Sequence, residues 1–250
     1  MREEKLSDNV RLILGDAREV VPTLKGAGID AMVTDSPYGI QDLVGGYGRT
    51  QLTTGVKGTK MDARRVNDLR IHNDRDLKVV GEVFALARSI MNKNAWVAAF
   101  YSCRITPRFF KDMSMFTEDE YFGEMIWNKK APGLGTQVRY CHENVAFWRL
   151  GKPEPLADCM SLFEFAALKG TTRSEGSSHP HEKPDKVMDN VVSVVPGKVI
   201  LDPFCGTGST GAAAVRAKRG FVGIELDPKY FDVACAKVAK ALATPTAFWE

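Results

Sequence analysis

Apolar positions along the chain fall into two patterns that take turns: short continuous runs, and runs spaced at three and four. Residues 10–14 (VRLIL) and 30–34 (DAMVT) predict strands that end at Gly15-Asp16 and at Asp35, with a helix-compatible stretch over 17–25 between them. Residues 77–91 carry Val79, Val80, Val83, Phe84, Leu86, Ala87 and Ile90 at helical spacing and lead into a strand over 95–101. A further helix is expected over 105–115. Aromatic and β-branched residues over 121–128 and 144–150 predict two strands in a hairpin-like antiparallel pair. Residues 161–168 form a short helix-like patch. Beyond them the alternation sharpens, with helices over 185–195, 209–218 and 228–242 and strands over 198–201 and 221–226.

Strands alternating with helices imply an α/β fold, a doubly wound and mostly parallel sheet covered on both faces, to which the expected hairpin adds an antiparallel strand pair. One domain spanning 1–250 accommodates it. Residues 39–76 break the pattern with Gly, Thr, Lys and Arg and predict a long functional or mobile loop. In such sheets ligands lie outside the carboxyl ends of the strands. The residues just past the predicted strands are Asp16, Asp35, the segment 202–208 and Glu225, all acids or a Gly-rich turn that begins with one.

Composition narrows the classes little. A net charge of +3 permits a polyanionic partner without demanding one. The five cysteines show no Cys-x-x-Cys pair, so they read as reduced thiols and suggest neither a disulfide framework nor a zinc ribbon. The apolar runs are too short for a bilayer, and MREEKLSDNV lacks the apolar stretch of a signal peptide, so a cytoplasmic location and no membrane contact are expected. His179 and His181 resemble a metal pair in spacing only, and no metal is expected.

The strongest motif is LDPFCGTGSTG, from Leu201 to Gly211, leaving one predicted strand and entering a helix. Gly206 and Gly208 permit positive φ and let backbone N–H groups approach a ligand, while Glu225, at the end of the next strand, suits ribose hydroxyls. A nucleoside-containing cofactor follows. Gly206 to Gly211 also satisfies G-x-G-x-x-G, so an NAD-dependent oxidoreductase is a rival reading. Against it, only one strand and one helix follow, and Asp202 ahead of the turn suits a cationic sulfonium better than a diphosphate. The second motif, Asp35-Ser36-Pro37-Tyr38, combines an ionised acceptor, a stiff turn and a flat ring, a set that suits a planar base bearing an amine. Alone it is more often a structural turn; beside a cofactor loop it gains chemical meaning.

Together, DSPY near the start and DPFCGTGST near the end resemble the catalytic and cofactor motifs of the β-class DNA amino-methyltransferases, in that class's order. The resemblance extends to Gly15-Asp16, to HPHEKP at 179–184, to Trp127-Asn128-Lys129 and to His142-Glu143. It implies a Rossmann-like methyltransferase fold and transfer of a methyl group from S-adenosyl-L-methionine to a flipped base in double-stranded DNA. Adenine N6 is expected rather than cytosine N4, because the first motif position is Asp. Catalysis is assigned to Asp35, Ser36, Pro37 and Tyr38. Cofactor binding is assigned to Asp16, Ala17, Asp35, Lys183, Asp202, Phe204, Cys205, Gly206, Thr207, Gly208, Ser209, Glu225 and Leu226. The family pattern usually has Pro where Ser36 stands, and its backbone carbonyl serves in either case. The candidate target-recognition segment, 151–178, is small, and a homodimer would compensate. Arg49, Lys57, Lys60, Arg64, Arg65, Arg70, Lys129, Lys130 and Arg139 are candidate phosphate contacts. A DNA-binding protein that had lost transfer is the non-enzymatic alternative.

Overall fold

The computed structural model describes residues 1–38, 77–131, 139–166 and 182–244. Among them, nine strands form one sheet in the order β1-β2-β9-β8-β3-β4-β6-β5-β7. The central strands β2 (Val10–Leu14), β9 (Gly220–Glu225), β8 (Val199–Asp202), β3 (Ala31–Thr34) and β4 (Ala95–Tyr101) run parallel. β5 (Tyr121–Asn128) and β6 (His142–Leu150) form the antiparallel pair, with β6 also antiparallel to β4.

Alternation along the strands sorts side chains to two faces. On β4, Val97, Ala99 and Tyr101 join one core with Val80, Val83, Phe84 and Ala87 of α2 (Leu77–Ile90) and Phe109 of α3 (Thr106–Asp112). Trp96, Ala98 and Phe100 join the other, against Val187, Met188 and Val191 of α4 (Asp185–Val194), Ala213 and Ala214 of α5 (Ser209–Arg216), and Phe231, Ala234 and Val238 of α6 (Pro228–Ala243). Burial on both faces explains why β4 reads as an unbroken apolar run rather than an alternating one. Doubly wound packing is thereby established.

Two expectations fail locally. The patch over 161–168 is not helical where it is described: Leu162–Glu164 is β7, pairing parallel with β5, because backbone pairing at the open sheet edge outweighs a three-residue pattern too short to carry a period. Residues 2–7 (REEKLS) form β1, antiparallel to β2, an edge strand whose charged, mostly exposed side chains hide it from apolar periodicity. The helix expected over 17–25 divides into α1 (Ala17–Val20) and a 3-10 turn, Val21–Leu24, that contains Pro22. Residues 151–166 are pinned to the sheet, with Trp96 Nε1 donating to the Glu154 carbonyl at 2.8 Å and Trp127 Nε1 to that of Phe165 at 2.8 Å. The loop over 39–76, its basic residues, and the histidines at 179 and 181 lie outside the described residues. Among the described residues no helix is long and apolar enough to cross a membrane.

β3 and β8 run parallel, but the order in which strands are added to the sheet reverses between them: β3 continues to β4 on one side, β8 to β9 on the other. Open α/β sheets bind ligands at that crevice.

Candidate active site at the carboxyl ends of the strands

Thr34, the last residue of β3, donates from Oγ1 to Asp202 Oδ1 at 2.7 Å, so the Asp35 motif and the glycine turn share one rim of the sheet. Asp202 also accepts from the Phe204 amide at 3.1 Å and is 1% exposed. Burial raises its carboxyl to about 6, against the pull of those donors and of the Thr210 hydroxyl.

The turn after β8 is built from close approaches. Gly208 adopts φ 82°, and a Cβ there would lie 2.9 Å from Ala234 Cα of α6. Gly206 adopts φ 54° but faces nothing nearer than the Phe204 carbonyl at 4.0 Å. Gly206 N–H donates to Glu225 Oε2 at 2.7 Å and Asp227 N–H to Oε1 at 2.8 Å. Burial nevertheless raises Glu225 to about 7, and among the described residues no cation accompanies those amides. Next to it Leu226 is 45% exposed, an apolar side chain at the rim. Gly15 N–H donates to the Glu225 carbonyl at 2.9 Å, bringing Asp16 alongside. Asp16 caps α1 through the Arg18 amide and is held by the Arg18 guanidinium at 2.6 Å, which lowers its carboxyl. Cys205 is buried, and burial pushes its thiol well up, which favours a packing role over nucleophilic attack.

At the β3 side the geometry is ionic. Tyr38 donates from its hydroxyl to Asp35 Oδ1 at 2.8 Å, with Glu143 Oε2 at 3.2 Å. Lys183 Nζ donates to Asp35 Oδ2 at 2.5 Å and lies 3.2 Å from Glu143 Oε2. Lys129 pairs with Glu143 Oε1. Burial opposes ionisation of Glu143, yet the two ammonium groups outweigh it and hold its carboxyl at about 2. Burial likewise works to lower Lys183, and Asp35 and Glu143 overcome it to raise the ammonium. Tyr38 is pushed well above its ordinary value, by burial first and the two carboxylates second. Ser36 is 3% exposed between these groups.

The structure thus gathers Asp35, Ser36, Tyr38, Lys183, Asp202, the glycine turn and Glu225 at one rim. Sequence reasoning missed Glu143 as the centre of the charge cluster, naming His142-Glu143 only for the resemblance; Glu143 lies in the polar start of β6 (HENVAFWRL), where no apolar period marks it. It also took Lys129 and Lys130 as phosphate contacts, whereas Lys129 turns to Glu143 and Lys130 to Glu164 at 2.6 Å. The site fits a nucleoside cofactor on three observations: the open space at Gly206, the cation-free acid Glu225, and the exposed Leu226.

A doubly wound sheet with an acid-Pro-Tyr turn at its switch point and a glycine turn on the adjoining strand defines a Rossmann-like methyltransferase. The DNA methylase family model, which covers N6 and N4 methyltransferases, matches residues 29–236, and the chain belongs to that family. A putative methylase of Escherichia coli K12, YubD, is 28% identical over 228 residues, covering 88% of this chain and 86% of its own. In fold, the chain is similar to M1.HpyAVI, solved as a complex with S-adenosylmethionine (TM-score 0.63, 20% identity, 91% of this chain and 98% of that one). It is also similar to the cytosine-N4-specific PvuII DNA methyltransferase (TM-score 0.66, 12% identity, 92% and 86%).

Proposed function

We propose that this DNA methyltransferase moves a methyl group from S-adenosyl-L-methionine to the N6 amine of adenine in double-stranded DNA. The observation that carries the reading is the Thr34–Asp202 hydrogen bond of 2.7 Å, which ties the catalytic turn to the cofactor turn at one rim. Asp202, Glu225 and the turn at Gly206 would hold the cofactor, the open space at Gly206 letting it approach the backbone and the Glu225 carboxylate accepting from ribose hydroxyls. The cofactor supplies an electrophilic methyl group on a sulfonium.

Paired in the duplex, the target amine is out of reach, so the base is flipped and stacked against Tyr38. Asp35 and the Ser36 carbonyl accept its two hydrogens and draw the nitrogen toward tetrahedral geometry, which frees its lone pair. Fixed acceptors and orientation supply the acceleration, and no metal ligand is called for. Asp at the first motif position favours adenine over cytosine. The protein acts in the cytoplasm as a homodimer, and the second subunit widens a DNA-contact surface that the short 151–178 segment leaves small.

The test is thermal stabilisation by S-adenosylmethionine but not NAD, followed by tritiated-methyl transfer to DNA and mass analysis of the nucleosides. N6-methyl-2′-deoxyadenosine is expected; N4-methyl-2′-deoxycytidine overturns the base assignment, and cofactor binding without transfer to any DNA overturns the activity.

A further inference from the structure

Lys183 is anchored on the cofactor side of the site and acts on the other. Its neighbour Glu182 receives Lys237 of α6 at 2.9 Å, and its own carbonyl accepts from Ser209 Oγ at 3.4 Å. From there the side chain reaches Asp35 at 2.5 Å, Glu143 at 3.2 Å and the Tyr38 hydroxyl at 3.3 Å, with the Tyr38 and Phe100 rings each 5.3 Å away. An ammonium has three hydrogens, and three oxygens surround this one. Its three hydrogens are thus matched by oxygens of the cluster. Lys183 is 7% exposed, so the group cannot reach solvent without breaking the cluster.

We propose that Lys183 is a positioning residue for Asp35, fixing the carboxylate through Oδ2, with Glu143 as the counter-charge that holds the ammonium there. This rests on the methyl-transfer reading above. Each carboxylate oxygen offers two acceptor sites; Lys183 fills one on Oδ2 and Tyr38 one on Oδ1, which leaves one on each for the target amine. The charged and titratable groups around Asp35 are Lys183 before α4, Tyr38 on its own turn, Glu143 of β6, Lys129 after β5 and Asp202 of β8. Without Lys183, Oδ2 loses the donor that fixes it, and Asp35 is left beside Glu143 and Asp202 with only Lys129 near them among the described residues.

The experiment compares wild type, Lys183→Met, Lys183→Arg and Glu143→Gln in the full chain, with Lys183→Gln replacing Met if that variant does not fold. Expected for Lys183→Met are a kcat lower by about tenfold or more and an S-adenosylmethionine affinity within about threefold of wild type. Lys183→Arg, which keeps a donor for Oδ2, restores most of the lost kcat. Glu143→Gln lowers kcat with cofactor affinity kept. The carbon-13 shift of the Asp35 carboxyl, assigned by its loss in Asp35→Asn and read at one pH without turnover, changes in Lys183→Met and is kept in Lys183→Arg. Unchanged kcat and carboxyl shift in Lys183→Met overturn the proposal, as does a loss confined to cofactor affinity. A wild type inactive on all DNA with the change in carboxyl shift intact sinks the methyl-transfer reading and leaves the clamp standing.

Discussion

The two acid-bearing regions at the sheet rim are held in opposite ways. Around the glycine turn, Asp202 and Glu225 take their partners from backbone amides and a hydroxyl, the Gly206–Glu225 bond spanning 19 positions and the Thr34–Asp202 bond 168. Their carboxyls are raised to about 6 and about 7. Around the catalytic turn, the acids take ammonium partners, Lys183 on Asp35 across 148 positions and Lys129 on Glu143 across 14, and Glu143 is held at about 2. Among the described residues the acids of the first region lack countercharge and suit an incoming ligand that brings donors. The second is charge-satisfied before any substrate arrives, which is the condition for a fixed acceptor geometry.

The largest test of that contrast is Asp35→Ala. It removes the acceptor for the target amine and should lower methyl transfer by about a thousandfold. S-adenosylmethionine affinity, measured by calorimetry, should stay within about threefold, since the acids of the other region are untouched. Equal losses in both would join the two regions into one functional unit.

Gly206 and Gly208 separate packing from ligand approach inside the first region. Gly208→Ala combines a left-handed φ of 82° with a Cβ 2.9 Å from Ala234 Cα, so α6 must shift. A loss of about 2 to 4 kcal/mol in urea unfolding is expected. Gly206→Ala meets nothing within 4 Å except the Phe204 carbonyl at its edge, so its stability cost should stop near ~1 to 2 kcal/mol for the left-handed φ. Its cofactor affinity should fall by tenfold or more because the methyl group fills the space left for the ligand. If both variants lose stability alike and neither loses affinity beyond that, Gly206 has no part in binding.

Legibility followed the same division. The glycine turn, Asp202 and Glu225 sit in consecutive strand, turn and helix segments, and their local pattern suffices to place them. So do the core strands, whose burial on both faces writes itself as apolar runs such as AWVAAFY. The charge cluster had no such signal: Glu143, paired with Lys129, is linked to Asp35 through Lys183 and Tyr38 only because β3, β4, β6 and β5 lie side by side, and adjacency in a sheet is not encoded in spacing. β1 and β7 were hidden for a related reason. Edge strands are stabilised by backbone pairing while their side chains stay exposed, so REEKLS carries no apolar period and LFE is too short for one.

The raised Glu225 carboxyl gives the smallest effect and the most specific. Its folded value of about 7 lies above the ordinary carboxyl value of 4.5, so the folded chain holds the proton more tightly than the unfolded one. Stability from this group is therefore present at pH below 4.5 and is lost as pH rises toward about 7. On the proposed reading ribose hydroxyls would donate to the ionised form, so binding would favour the state that burial disfavours. S-adenosylmethionine affinity should rise as pH climbs from about 6 to about 8, by roughly tenfold, and level off above. The cofactor's own amine also titrates, so the decisive comparison is Glu225→Gln, in which the part of the slope that belongs to the protein should vanish while the ligand's part persists. Identical slopes in the two proteins would mean that Glu225 serves the turn through Gly206 and Asp227 alone and does not meet the ribose.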